Sequence, residues 1–218
     1  MKGFMKHLLK SQTVHSTSES MEIFEFKGNG TTKLFVGGLH GNEGKFTEIV
    51  LKDFVNLLRE DNYVGNVVVV PKLVENSRYI STLSEKYYET IEGKTLIKII
   101  EKYRPNVYFE LHTYKEESYK KLTGNDRKVP PLIDIGNNIL IASISPILRN
   151  KFDKEDFCMT VEIPSWKVHE VKDEIIKILK IGSKYPTRDD IIKKLKEYYP
   201  ESIKMAKDFS KRYHLVLF

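Results

Sequence analysis

Apolar and polar residues alternate through MEIFEFKG (Met21–Gly28), the two-residue period of a half-buried strand, and NGTT after it reads as a turn. KLFVGGL (Lys33–Leu39) is more continuously apolar and reads as a buried strand. From Lys45 to Arg59 the apolar residues Phe46, Ile49, Val50, Phe54, Leu57 and Leu58 recur at the spacing of one helical face. NVVVVPKL is a β-branched run whose Pro71 marks the exit of another buried strand. KTLIKIIEKY predicts a helix stopped at Arg104–Pro105, because the residue before a proline is pushed out of the helical region. The strands NVYFELH, NILIAS and FCMTVEIP follow. Between the first two lies Thr113–Pro131, polar and without a period, the pattern of a long loop, which in a compact domain is usually either functional or disordered.

From Val168 onward the chain reads as helical. TRDD opens one helix with a T-x-x-D arrangement related to the capping box, and Ile203, Ala206, Phe209 and Tyr213 stripe another. Strands alternating with helices predict an α/β fold. The expected form is a single three-layer domain over residues 1–218, with a mixed, mostly parallel sheet covered on both faces. Its core should span about residues 20–165, with a helical C-terminal segment over about 168–218. No internal repeat and no phosphate-cradling glycine motif is present.

Composition narrows the class. With 40% hydrophobic and 30% charged residues, the 218-residue chain is that of an ordinary globular protein. No apolar run is long enough to span a membrane, and Lys6 and Lys10 break up the N-terminal segment, which does not read as a secretory signal. Cys158 is alone, so no internal disulfide forms, as expected in a reducing compartment, and a cytoplasmic location follows. The net charge of +6 is interleaved with acids along the chain, as in KEESYKK, which indicates solvated helix faces rather than a nucleic-acid surface.

Ligands of α/β sheets bind beyond the carboxyl ends of the strands, and three such ends carry unusual residues. One runs Leu39-His40-Gly41-Asn42-Glu43, one Glu110-Leu111-His112, and one Thr160-Val161-Glu162-Ile163-Pro164. Two histidines and a carboxylate are the ligand set of many catalytic zinc sites, which keep a fourth position open for water. His40 and Glu43, close together on a glycine-rich turn, can face one ion. Along CMTVEIP, Cys158, Thr160 and Glu162 share one face, and the apolar Met159, Val161 and Ile163 share the other. His7, His15, His169 and His214 lack such context and read as surface or structural.

In order along the chain, GGLHGNEG, NSRYI (Asn76–Ile80), ELHTY and TVEIP resemble the zinc carboxypeptidase-like superfamily, and within it the succinylglutamate desuccinylase and aspartoacylase branch. The resemblance covers roughly the first three quarters of the chain and suggests an archaeal offshoot. It implies a carboxypeptidase/phosphorylase-hydrolase-like fold and one zinc per chain held by His40, Glu43 and His112. It further implies that Arg78 polarises the scissile carbonyl and that Glu162 activates water.

The chain departs from that branch where an Asp-Leu-Asn-Arg segment ends in the pair that grips a substrate carboxylate. Here the stretch is Thr82-Leu83-Ser84-Glu85. An acid in place of the arginine is expected to disfavour N-acetylaspartate and N-succinylglutamate. The sequence thus points to a zinc-dependent hydrolase of an amide bond in a small-molecule or peptide substrate. The alternatives are a carboxypeptidase or amidase of a larger peptide or modified cofactor, and a non-catalytic binding module on the same fold.

Overall fold

The computed structural model describes residues 10–14, 21–127 and 129–218, the first of these as backbone. The expectations for His7, His15 and the N-terminal leader fall outside these residues. Eight strands form one sheet: β1 (Lys10–Val14), β2 (Met21–Phe26), β3 (Thr32–Gly37), β4 (Asn66–Val70), β5 (Val107–Tyr114), β6 (Ile133–Asp134), β7 (Leu140–Ser143) and β8 (Phe157–Pro164). Their spatial order is β1-β2-β4-β3-β5-β8-β7-β6.

The four central strands, β4, β3, β5 and β8, run parallel, and the pairings on both flanks are antiparallel. The sheet is therefore mixed, with less parallel pairing than the strand–helix alternation suggests. The tight link Lys27–Thr31 reverses the chain after β2, and β4 then inserts between β2 and β3. The small β1 and β6 have too few residues to show a period.

Among the described residues the helices are α1 (Gly44–Glu60), α2 (Glu85–Glu89), α3 (Ile91–Tyr103), α4 (Tyr119–Thr123), α5 (Pro146–Arg149), α6 (Val168–Lys184), α7 (Arg188–Tyr198) and α8 (Pro200–Tyr213). Val50, Phe54 and Leu58 of α1 and Ile175, Ile178 and Leu179 of α6 bury one face of the sheet. Leu96, Ile99 and Ile100 of α3 cover the other. Met159, Val161 and Ile163 lie on the α1/α6 side and Cys158 on the α3 side, the division expected from alternation along β8. The caps are local: Thr187 accepts from the Asp190 amide at the start of α7, and Arg104 ends α3 in the left-handed region.

At the amino end of β3, Lys33 is fully buried, and no carboxylate among the described residues pairs with it. Its ammonium donates to the carbonyls of Ser183 and Tyr185, at 2.7 and 2.9 Å, and so caps the negative end of α6. Burial pushes its pKa down to about 8. At the chain's end, the Phe218 ring packs on Phe157, and Arg188 donates to the carbonyls of Leu217 and Phe218.

Candidate metal centre

The end of β3 and the turn Gly38–Glu43 carry the chain into α1, and the glycines there differ in purpose. A side chain at Gly37 would place its Cβ 2.6 Å from the Thr47 side chain and 2.7 Å from the Pro71 carbonyl oxygen. Backbones must meet there, and only a missing Cβ lets them. Gly41 instead has φ +62°, and a Cβ added there would meet nothing within 4 Å, so conformation alone requires glycine. The Pro71–Ser77 segment runs beside this turn: Leu73 donates to Gly37, Val74 to Gly38, and Ser77 and Gly41 bond each other reciprocally.

That folding brings His40 to the carboxyl edge of the sheet, where Gly37 is in register with Leu111 of β5. His40, Glu43 and His112 are 7%, 4% and 3% exposed, and a ligand atom of each lies within 4.8 Å of the others. The Glu43 carboxylate is held by the chain itself. One oxygen accepts from the Leu39 and His40 amides at 2.8 and 3.2 Å, the other from the Thr113 amide at 3.3 Å. It therefore bridges the β3–α1 turn and the end of β5. His112 Nδ1 lies 3.3 Å from Glu43 and His40 Nδ1 3.6 Å from it.

A buried carboxylate in such surroundings needs a cation. Burial opposes ionisation of Glu43, but His112, His40 and the amide of His40 outweigh it and hold its pKa below the usual value. Burial lowers the pKa of His40. It also acts against a charge on His112, yet Glu43 and Glu110 prevail and raise the His112 pKa well above the ordinary range. Without a metal, a proton on His112 thus compensates the carboxylates. His112 Nε2 is buried with no hydrogen-bond partner, although Glu110 Oε1 is 3.4 Å away. Two imidazoles and a fixed carboxylate in a buried site fit a divalent metal, with Glu110 beside the other ring nitrogen of His112.

Glu162 lies on β8 directly across from His112. Burial pushes its pKa up to about 7, and the Glu43 and Glu110 carboxylates push the same way, against His112 and Arg127. Arg78 is exposed, and the ring of its chain neighbour Tyr79 packs edge-on to His40 at 4.7 Å. Ser84 takes the N-cap position of α2 without a side-chain hydrogen bond, and Glu85 stands exposed in its first turn. His169 and His214 are exposed, as expected.

Several members of the site carry no obvious sequence signal. Glu110 accepts from the Tyr108 and Thr160 hydroxyls at 3.1 and 2.8 Å and backs His112. Its one clue is the i, i+2 spacing to His112 in an otherwise apolar strand. Tyr87, whose hydroxyl donates to the Leu39 carbonyl, supports the turn from α2. Thr113–Pro131 is more ordered than its composition suggests: β5 runs on through Tyr114, and a 3₁₀ turn and α4 follow.

A family described as "Uncharacterized protein conserved in archaea (DUF2119)" matches residues 28–215. A protein of Methanocaldococcus jannaschii, MJ0501, is 75% identical over 199 residues, which are 91% of this chain and 98% of that one. A solved structure from Shewanella denitrificans described as a "putative metallopeptidase" has a TM-score of 0.51 at 12% identity, covering 82% of this chain and 85% of that one. A "putative carboxypeptidase A" from the same species has a TM-score of 0.51 at 10% identity, covering 94% and 65%. An aspartoacylase family protein from Mesorhizobium loti has a TM-score of 0.46 at 14% identity over 80% of this chain, which spans 65% of that protein's length. At such identities the structural likeness concerns the fold. No helix among the described residues is long and apolar enough to cross a membrane. The chain belongs to the archaeal DUF2119 family and is built on a carboxypeptidase-like α/β fold.

Proposed function

We propose that the protein is a metal-dependent hydrolase of an amide bond, with zinc held by His40, Glu43 and His112, acting on an N-acyl amino acid or a peptide-like substrate. The observation that carries this reading is the buried convergence of the three ligand residues within 4.8 Å, with Glu162 in register beside His112. Zinc bound there supplies Lewis-acid polarisation of the scissile carbonyl and acidifies water.

The remaining work belongs to side chains of this protein. Glu162 takes a proton from the attacking water and returns it to the leaving nitrogen. A base whose pKa lies near neutrality, as burial makes it here, is matched to both transfers. Arg78, exposed and permanently charged, closes on the oxygen where negative charge develops. Glu43, tied by three backbone amides, keeps the two histidines oriented without reorganising.

The test is Glu162→Gln, which keeps shape and hydrogen-bonding reach but removes basicity. The expected result is full zinc content with kcat reduced by roughly 10²–10⁴, the usual worth of general acid–base catalysis. A variant with near-normal kcat moves the base elsewhere, and one that loses zinc makes Glu162 a ligand.

A further inference from the structure

Alternation along β5 places Tyr108, Glu110 and His112 on one face of the strand. Tyr108 and Glu110 are 0% and 1% exposed, and the hydrolysis proposed above uses neither. A carboxylate at that depth is costly unless donors surround it. Glu110 has two, both neutral hydroxyls: Tyr108 donates to Oε2 at 3.1 Å, and Thr160 of β8 donates to Oε1 at 2.8 Å. Thr160 is in register with Glu110, and Glu162 is in register with His112. The Glu110–Thr160 pair is therefore the rung before the His112–Glu162 pair on the same face of β5 and β8.

His112 stands between two carboxylates. Nδ1 lies 3.3 Å from Glu43 Oε1, and Nε2 lies 3.4 Å from Glu110 Oε1. The two ring nitrogens diverge, so Nδ1 is the one turned to Glu43 and the ligand cluster. Nε2 is buried without a hydrogen bond, and Glu110 Oε1 stands about 0.5 Å beyond the usual N–H···O length of about 2.9 Å. Glu110 does not extend the ligand set: among the described residues, the group whose ligand atoms lie within 4.8 Å of one another is His40, Glu43 and His112.

We propose that Glu110 is the positioning residue of the metal centre: its Oε1 accepts the Nε2 proton of His112, which leaves the Nδ1 lone pair for the metal and fixes the plane of the ring. A neutral imidazole carries one proton, and the nitrogen that holds it cannot bind a metal. A carboxylate acceptor at Nε2 selects that tautomer and makes Nδ1 the stronger donor. Because Tyr108 and Thr160 clamp Glu110 from two neighbouring strands, the orientation is built into the sheet rather than imposed by the ion. The inference rests on His112 being a ligand, as in the reading above, and not on the reaction catalysed.

The test compares wild type, Glu110→Gln and Glu110→Asp, each loaded with zinc. Glutamine keeps the shape and an acceptor oxygen but not the charge, and aspartate keeps the charge but withdraws it by about 1.5 Å. Competition with a chromophoric chelator gives zinc affinities. Proton–nitrogen NMR of ring-labelled histidine, assigned through bonds, shows which nitrogen of His112 is protonated. Wild type should show Nδ1 coordinated and an Nε2 proton far downfield and protected from exchange. Both variants should bind zinc about 10–100-fold more weakly, the range for loss of an outer partner of a metal-bound histidine, with the Nε2 proton moved upfield and exchanging faster. A structural role alone would lower stability in urea melts and leave zinc affinity and that proton unchanged, which overturns the proposal. Coordination through Nε2 in wild type also overturns it. If a Glu110 variant fails to fold, Thr160→Val, which removes one clamp and no charge, carries the test: zinc weakened several-fold supports the role, and unchanged zinc overturns it. Wild type without stoichiometric zinc overturns the metal reading itself, whereas zinc held equally by wild type and the variants overturns the positioning role alone.

Discussion

Gly37→Ala is the substitution that most directly tests how the metal centre is built. The new Cβ would lie 2.6 Å from Thr47 Cβ and Oγ1 and 2.7 Å from the Pro71 carbonyl oxygen, where ordinary contact begins at 3.4 Å. Overpacking of this kind costs about 1–3 kcal/mol. Rotating Thr47 away sacrifices its buried hydrogen bond to the Pro71 carbonyl, 3.1 Å long, worth about 1 kcal/mol. The expected loss is therefore ~2–4 kcal/mol, or roughly 5–15 °C in Tm for a domain of this size. If the end of β3 moves instead, His40 and Glu43 move with it, and zinc affinity should fall about tenfold or more, as when supporting contacts of a metal site are lost.

The control is Gly41→Asn. Its Cβ meets nothing within 4 Å, and asparagine tolerates a φ of +62°, so the cost should stay below about 1 kcal/mol with zinc affinity preserved. Urea denaturation gives the stabilities, and competition with a chromophoric chelator gives the zinc affinities. A Gly37→Ala protein within about 0.5 kcal/mol of wild type in stability, with unchanged zinc affinity, would refute the close approach. So would a Gly41→Asn protein more damaged than Gly37→Ala.

Other outcomes follow from the same geometry. His112→Ala should retain its far-UV circular dichroism but lose stoichiometric zinc by elemental analysis. Because Glu43 and Glu110 hold His112 protonated in the metal-free site, zinc uptake by wild type at neutral pH should release protons, measurable by calorimetry in buffers of different ionisation enthalpy. The folded-state pKa of Lys33, about 8, lies below its unfolded value near 10.5, so the unfolded state binds more protons between them. Wild type should accordingly gain stability relative to Lys33→Met as pH rises from about 8 to 10, by at most ~2.7 kcal/mol, since the two carbonyls that accept from the ammonium work against the shift. A flat difference across that range in urea melts refutes it. Phe218→Ala removes a buried ring from the Phe157 contact and should cost about 3–5 kcal/mol by the same melts, with zinc content intact.

The long elements were legible because burial writes a period into them: α1 by its apolar stripe, β8 by alternation that correctly divided Met159, Val161 and Ile163 from Cys158; β4, only five residues long, was legible by its run of four valines instead. The three ligand candidates were legible for a different reason, since histidine and glutamate at the ends of apolar strands are chemically out of place. Segments of two to five residues, such as β6, α2, α4 and α5, are too short for any period to register. Parallel pairing was overestimated because the alternation of strands and helices describes the centre of the sheet and says nothing of which strand inserts beside β2. Tyr79 and Tyr87 acquire meaning only through contacts between distant segments, which spacing along one chain cannot encode.

The placement of β8 has a kinetic consequence. His40 and Glu43 are three residues apart, so even an unfolded chain offers a metal two donors. The third, on β5, is secured when β5 pairs with β3. Glu162 arrives only when β8 zips along the other side of β5, after the chain has closed a loop containing α4, β6, β7 and α5. Parallel pairing at such sequence separation is slow to nucleate. During refolding the molecule should therefore pass through forms that already capture metal yet lack the base, so that zinc uptake precedes the return of activity.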